Sequence, residues 1–517
     1  MTLLIGIDIG TSGSKGVLVR TDGMLLAQAS REHTTATPRP GWAEHDARTV
    51  WWRELMELSA ELLAAAPAGE PIGAVGVSGI GPCLLPTDAD ATPLRPAILY
   101  GVDTRAGEQI AAQRERYGER RVLDRCGSPL TSQAIGPKLA WVREREPEVF
   151  ARTRRWFMAS SYLVHRLTGA YVLDHHSASQ CTPLYDLRNG GWIEEWCEEI
   201  APGLVWPRLV WPAEVVGEVT PWAQRATGIP AGTPVIAGTV DAWAEATAAG
   251  AIAPGDLMLM YGSTMFLVDV VDVAAPDPRL WSTRGAFPDT YCLAAGMATS
   301  GAVTGWLRDL TGTGYDTLVA EAAAVAPGAE GLLMLPYFAG ERTPLFDPDA
   351  RGLVLGLTLR HGRGHLYRAA LEATAFGVRH NLSVMEAAGG DIRRVTAVGG
   401  GARELWTRIV SDVTGRTQDV PRYTTGAAYG DAFLAAVGTG RAEAADIAEW
   451  NPVAHTVEPD PATAGTYDEL YRLYRELYPA TRDAAHALAA RQHATADGPA
   501  SQGVSATSRR GERSTAR

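Results

Sequence analysis

Lysine is nearly absent. Of the 47 basic residues in this 517-residue chain only Lys15 and Lys138 are lysines, arginine supplying the rest. Cysteine is scarce as well. Cys83, Cys126, Cys181, Cys197 and Cys292 stand far apart, with no CxxC pair and no His cluster at metal-ligand spacing, which argues against a disulfide framework and against structural zinc. No run reaches the ~18 uninterrupted apolar residues of a membrane span, and no basic segment precedes the first apolar stretch, so a cytoplasmic protein without a membrane partner is expected. Positive charge is in deficit, the formal net charge being −12. That excludes an extended nucleic-acid surface or an anionic bilayer as partner, and any anion must be held locally.

Length predicts two domains of roughly 200 to 250 residues each, and a composition of 46% hydrophobic and 21% charged residues is ordinary for a globular chain. The chain opens Leu3-Leu-Ile-Gly-Ile-Asp8-Ile-Gly-Thr-Ser-Gly-Ser-Lys15-Gly-Val-Leu-Val19, two apolar runs around a Gly/Thr/Ser turn. This reads as strand, tight turn, strand, the turn offering backbone N–H groups, hydroxyls and the Lys15 ammonium to an anion. It is not a strand–GxxxxGK[ST]–helix phosphate loop, because Gly16 follows Lys15 and the pattern beyond is strand-like. Asp8, near the strand end, is placed to hold a hydrated magnesium ion beside phosphates. The bland alternative is that Lys15 merely leads a surface strand.

Residues 256–271 repeat the scheme around Gly262-Ser263-Thr264, so two halves of similar topology are expected, with a boundary near residue 250. Between the two turns, residues 74–78 and 98–100 read as short strands and 137–147 as a short helix. Residues 235–237 followed by Gly238-Thr239-Val240-Asp241 read as strand, turn, carboxylate, helix. Leu371, Val378, Leu382 and Met385 stripe a long helix, residues 395–402 empty a strand into Gly399, Gly400 and Gly401, and Tyr467, Leu470, Tyr471, Tyr474, Leu477 and Tyr478 stripe a last packed helix. From about Gln492 the chain is Ser/Ala/Gly/Arg-rich without periodicity, which predicts disorder.

Four elements suit one nucleotide site: the turn after Asp8, the Gly262–Thr264 turn, the triple glycine and the Asp241 carboxylate. Glycine at strand ends lets backbone approach a phosphate or purine closely. Singly, a triple glycine is an ordinary bend and Asp241 an ordinary helix cap; together they call for a two-lobed fold with a cleft. Transfer of a γ-phosphoryl group to an alcohol needs a carboxylate to accept the hydroxyl proton, and Asp241 is the candidate.

In this order the motifs resemble the FGGY family of carbohydrate kinases from about residue 3 to residue 480. Asp8 to Lys15 is similar to the family's first phosphate motif. Gly41-Trp42-Ala-Glu44-His-Asp46 with Trp51-Trp52 resembles its early signature bordering the sugar site, and Ile98-Leu-Tyr-Gly-Val-Asp103-Thr-Arg105 the segment near the substrate. Residues 161–169 with Asp174 resemble a further signature, Thr239-Val-Asp241-Ala the catalytic aspartate motif, and Tyr261-Gly-Ser-Thr264 the second phosphate motif. Residues 336–344, 347–352 and 368–372 match the long C-terminal signature, Gly399 to Ala402 the adenosine motif with 426–428 near the adenine, and Lys138 a family position. The resemblance implies an α/β protein of two ribonuclease-H-like domains, the actin-like ATPase architecture, flanking a deep cleft: residues 1–250 for the sugar, 251–485 for the nucleotide, and 486–517 as a disordered tail. It implies ATP and Mg2+ as cofactors, Asp241 as general base and substrate ligand, and Asp8 as the metal residue. Thr11, Ser12, Ser14, Lys15, Gly262, Ser263 and Thr264 would hold phosphates, Gly400, Gly401 and Ala402 the nucleoside, and Trp42, Gly81, Pro82, Asp103 and Arg105 the sugar. A homodimer is the general expectation for such a chain.

The pattern departs from the family at one place. Its xylulokinases put Gln-Met-His-Gly after the Ser-Gly of the third strand, whereas this chain reads Ser78-Gly79-Ile80-Gly81-Pro82-Cys83, and the Arg-Glu pair of the glycerol kinases is absent too. Overall similarity leans to xylulokinase, which makes D-xylulose the default acceptor; the missing imidazole leaves erythritol, ribitol, ribulose, gluconate or glycerol as alternatives. Asp103 and Arg105 can also be read as a structural ion pair, and a non-catalytic sugar or nucleotide sensor is the reading from another class.

Overall fold

A computed structural model describes residues 1–496, and it is built on two seven-stranded mixed sheets. The first runs, edge to edge, Val215–Glu218, Pro234–Ile236, Ile72–Gly79, Leu3–Ile9, Gly13–Arg20, Leu25–Glu32, with Thr239–Val240 also paired to Ile72–Gly79. The second runs Val453–Val457, Gln418–Pro421, Arg394–Val398, Asp256–Tyr261, Met265–Val271, Tyr291–Met297, Trp281–Arg284. In each, an antiparallel meander joins parallel strands that end on an antiparallel edge. The echo in sequence is therefore a repeat of strand order, and the two-sheet α/β architecture implied by the resemblance is present. Leu3–Ile9 lies between an antiparallel and a parallel neighbour and is buried on both faces except at Asp8, as its unbroken apolar run requires.

The two halves are locked by a helix that comes late in the chain. Ala427–Gly438 packs not on the second sheet but on the first, its Ala428, Tyr429, Ala432 and Phe433 sharing a core with Leu4, Val17, Val19 and Ala74. Glycine inside the strands makes this possible: a Cβ on Gly6 would lie 1.9 Å from the Ala428 carbonyl oxygen, and one on Gly76 2.1 Å from that of Asp431. On its other side Gly430 crosses the helix Asp241–Ala248, where a Cβ would meet the Ala244 carbonyl oxygen at 1.9 Å.

The long striped helix is Arg363–Ala387, and the tyrosine stripe belongs to Ala464–Ala496, with Tyr467 and Tyr474 fully buried. Of the tail expected from residue 486, the part up to Ala496 continues this helix, and the rest lies outside the described residues. No helix among the described residues is long and apolar enough to cross a membrane.

Candidate active site

Register brings the two key aspartates together. Asp8 pairs with Ser78 on the neighbouring strand and Ser78 with Thr239 on the next, so Asp241, two residues on from Thr239, opens its helix beside the same row. Two strand spacings amount to roughly 10 Å. Val240 is the capping residue; Asp241 is the first helical residue, and its Oδ1 accepts from the Ala242 amide at 2.8 Å. One turn further, Glu245 joins the group, and its carboxyl sits against Gly426, which the resemblance had put near the adenine. Burial pushes Asp241 up to about 6, burial and then the Asp241 charge push Asp8 up to about 8, and the same two causes push Glu245 up to about 7. Lys15, directly opposite Asp8 across the hairpin, counters the charge on both Asp8 and Glu245.

Beneath Asp8 lies a residue that no motif announced. Ser78 Oγ is 3.1 Å from Asp8 Oδ1 and 2.7 Å from Oδ2 of the fully buried Asp431, on the late helix. A hydroxyl has one proton to give, so one of the two contacts requires a protonated carboxyl. Burial, first among its causes, raises Asp431 well above the carboxylate range. As a neutral acid it takes up the short contact, and the Ser78 proton is left for Asp8.

Both Gly/Ser/Thr turns are hairpins, closed by Gly10 N–H to the Gly13 carbonyl and by Gly262 N–H to the Thr264 carbonyl, each at 3.0 Å. The first is braced from below: Thr35 donates to the Thr11 carbonyl, and a ring nitrogen of His33 lies 3.1 Å from the Gly10 carbonyl. Ser12, in the turn ahead of the strand, is exposed; within the strand alternation leaves Lys15 exposed and turns Ser14 inward, where it donates to Glu54 at 2.5 Å.

A cavity of about 240 Å3 opens where the halves meet, lined by Thr11, Ile80, Gly81 and Asp241 from the first and by Thr264, Phe266, Trp281 and Arg342 from the second. Tyr100, Gln133, Gln180 and Trp243 also line it; sequence reasoning missed Gln133, Gln180 and Trp243, whereas Tyr100 and Arg342 lay inside quoted signatures without a role. The second lysine of the chain is beneath this cavity. Lys138 is buried, pushed down to about 8 by burial, and donates to the Ser132 carbonyl at 2.6 Å, under the segment that carries Thr131 and Gln133. Pro82 is buried next to Gly81 and is not part of the lining.

Trp42, Asp103 and Arg105 form a cluster of their own. Arg105 holds Asp103 through Nη2 at 2.7 Å and Glu44 through Nη1 at 2.8 Å and stacks on Trp42 at 3.9 Å, while Asp103 also accepts from the Ala43 amide. Every hydrogen-bonding oxygen of Asp103 is thus engaged within the protein, and none of the three residues lines the cavity.

A second cavity, about 360 Å3, is lined by Gly262, Ser263, Gly400 and Gly401 together with Tyr315, Tyr367 and Trp406. The tight bend at Gly399, with φ 92°, turns the chain back over Tyr261 and leaves Gly400 open, where a Cβ would meet nothing. Ala402 lies just behind, its amide bonded to the Gly399 carbonyl. The two cavities lie on either side of the Gly262–Thr264 turn, Gly262 and Ser263 lining one and Thr264 the other.

Known proteins share this organisation. The N-terminal domain model of the FGGY family of carbohydrate kinases matches residues 3–248 and the C-terminal domain model residues 259–439. The chain is 31% identical to a xylulose kinase of Escherichia coli over 92% of its own length and 98% of that protein. It is 28% identical to a gluconokinase of Bacillus subtilis over 86% of its own length and 89% of that protein. The crystal structure of xylulose kinase from Rhodospirillum rubrum superposes with a TM-score of 0.87 at 35% identity, covering 94% of this chain and all of that one. The chain is an ATP-dependent carbohydrate kinase of the FGGY family.

Proposed function

We propose that this kinase phosphorylates a primary hydroxyl of a neutral open-chain ketose or polyol, D-xylulose being the first acceptor to try because several relatives are xylulose kinases. One observation carries the reading: Asp241 lies on the wall of the cavity shared by both halves, and the Gly262–Thr264 turn stands between that cavity and the glycine-lined one. The smaller cavity takes the acceptor and the larger the nucleoside. Asp241 accepts the proton of the acceptor hydroxyl as its oxygen forms a bond to the γ-phosphorus and the bond to the β-γ bridging oxygen breaks, releasing ADP. The turns that follow Gly10 and Gly262 and the Lys15 ammonium face the polyphosphate.

The acidic cluster also fits magnesium. Asp8, Asp241 and Glu245 repel one another with Lys15 as their nearby cation, a setting suited to a hydrated divalent ion bound through one or two carboxylates and phosphate oxygens. Asp8 is the residue to hold it; when bound, the ion neutralises charge on the β- and γ-oxygens. Closure of the cleft excludes water and protects ATP from hydrolysis.

ADP release measured over a panel of three- to seven-carbon ketoses, polyols and sugar acids tests the reading. The expected result is strong stimulation by a ketose or polyol. If no acceptor raises ADP release above the rate with ATP alone, phosphotransfer to a sugar is refuted.

A further inference from the structure

The acceptor cavity contains two glutamines whose amides are locked in opposite senses. Gln133 Oε1 accepts from the Gly101 backbone amide at 2.9 Å. A backbone N–H can only donate, so the oxygen of Gln133 is fixed on Gly101 and its NH2 group is left for the cavity. Gln180 is fixed by a longer chain of the same logic. Nδ1 of His176 lies 2.8 Å from the carbonyl oxygen of Arg284, which can only accept, so Nδ1 carries the ring proton and Nε2 a lone pair. Burial keeps the imidazole neutral, pushing His176 down to about 3. The Gln180 atom 2.6 Å from Nε2 must then be its NH2 group, and its Oε1 is left for the cavity.

The imidazole itself is held rigidly. Its ring stacks on Trp243, two residues beyond Asp241, with centroids 3.8 Å apart. Asp174 ties the segment to the catalytic strand, its Oδ1 accepting from both the Ser177 amide at 3.0 Å and the Thr239 hydroxyl at 2.9 Å. Neither free amide group, the NH2 of Gln133 or the oxygen of Gln180, has a hydrogen-bond partner among the described residues.

We infer that Gln133 and Gln180 are specificity-determining residues for the acceptor, Gln133 donating to one hydroxyl oxygen and Gln180 accepting from another hydroxyl, with His176 as the positioning residue for Gln180. The pair replaces the imidazole missing after Ser78-Gly79. It also states a substrate class. The oxygen of Gln180 needs a donor, so that end of the cavity selects a hydroxyl and disfavours a carboxylate, which has no proton to offer. The inference rests on the proposed acceptor role of this cavity.

The test uses Gln133→Leu, Gln180→Leu and His176→Phe in the full chain, with the panel acceptor that wild type turns over fastest and the monodeoxy analogues of that acceptor. Wild type is expected to discriminate against the analogue lacking each read hydroxyl. Each Leu variant should raise KM for the parent acceptor about ten-fold, with a smaller change in kcat, and should lose the discrimination at one hydroxyl. His176→Phe keeps a ring on Trp243 but frees the Gln180 amide, so it should lose discrimination at the same hydroxyl as Gln180→Leu. Thermal melting reports folding, and if His176→Phe does not fold, the two Leu variants decide. Unchanged KM and unchanged parent-to-deoxy ratios in both Leu variants would overturn the inference while leaving the kinase reading intact. A wild type that phosphorylates no acceptor would overturn the kinase reading itself.

Discussion

A buried acid changes stability with pH in a direction set by its own environment. Burial raises Asp431 well above its value in the unfolded chain, so the folded protein holds its proton to higher pH than the unfolded one does. The native state then binds more protons than the unfolded one, and stability falls as pH rises through this window. Asp431→Asn removes the penalty while its NH2 still donates to Ser78. Its melting temperature should exceed that of wild type at pH 8, with the gain shrinking toward pH 4; an equal gain at both would contradict the protonation assigned here. Asp241 behaves differently, since the proposed role as a base requires it to be ionised. With Asp241 pushed up to about 6, kcat/KM should fall on the acid side of about pH 6, and Asp241→Asn should lower kcat by about a hundred- to ten-thousand-fold with little change in KM. Steady-state kinetics across pH checks both. Asp8 and Asp241 were legible in sequence because each sits in a short motif with turn chemistry around it. Asp431, Gln133 and Gln180 were not, because their roles depend on which backbone or ring atom faces them, and only tertiary packing decides that. Ser14 illustrates the converse: it belongs to the motif, yet strand alternation turns its hydroxyl onto Glu54.

Among the elements, the two hairpins were readable from apolar runs broken by Gly, Ser and Thr, and the helix after Thr239-Val240 from its alanine-rich start. The helix Ala427–Gly438 was not read from the sequence beyond residues 426–428, and nothing within it says that it lies on the first sheet. The signal was elsewhere, in Gly6 and Gly76 at the middle of buried strands, where glycine marks close backbone approach. Gly6→Ala tests that contact. A methyl at 1.9 Å from the Ala428 carbonyl oxygen cannot be accommodated without moving the helix, and a loss of roughly 2 kcal/mol or more is expected in urea unfolding. Alanine there at no cost would show that the helix does not seat as described.

For the molecule as a whole, strand order was recoverable only as a suspicion of two similar halves, since the echo between residues 3–19 and 256–271 is one of pattern and not of identity. A cleft between the halves was expected from the grouping of the motifs, but which residues wall it, and that the late helix seats on the first sheet, was beyond reach, because these contacts join residues hundreds of positions apart. Residues 1–250 expressed alone should therefore fail to give a cooperative thermal transition, whereas the full chain should melt cooperatively; a well-folded fragment would count against the late helix as part of that core. The same feature has a bearing on biosynthesis. While the polypeptide emerges from the ribosome, the face of the first sheet around Leu4, Val17 and Ala74 stays bare until Gly438 has cleared the exit tunnel. The nascent first lobe thus waits, sticky and unfinished, through most of translation, and is a natural client for chaperones that shield apolar surface.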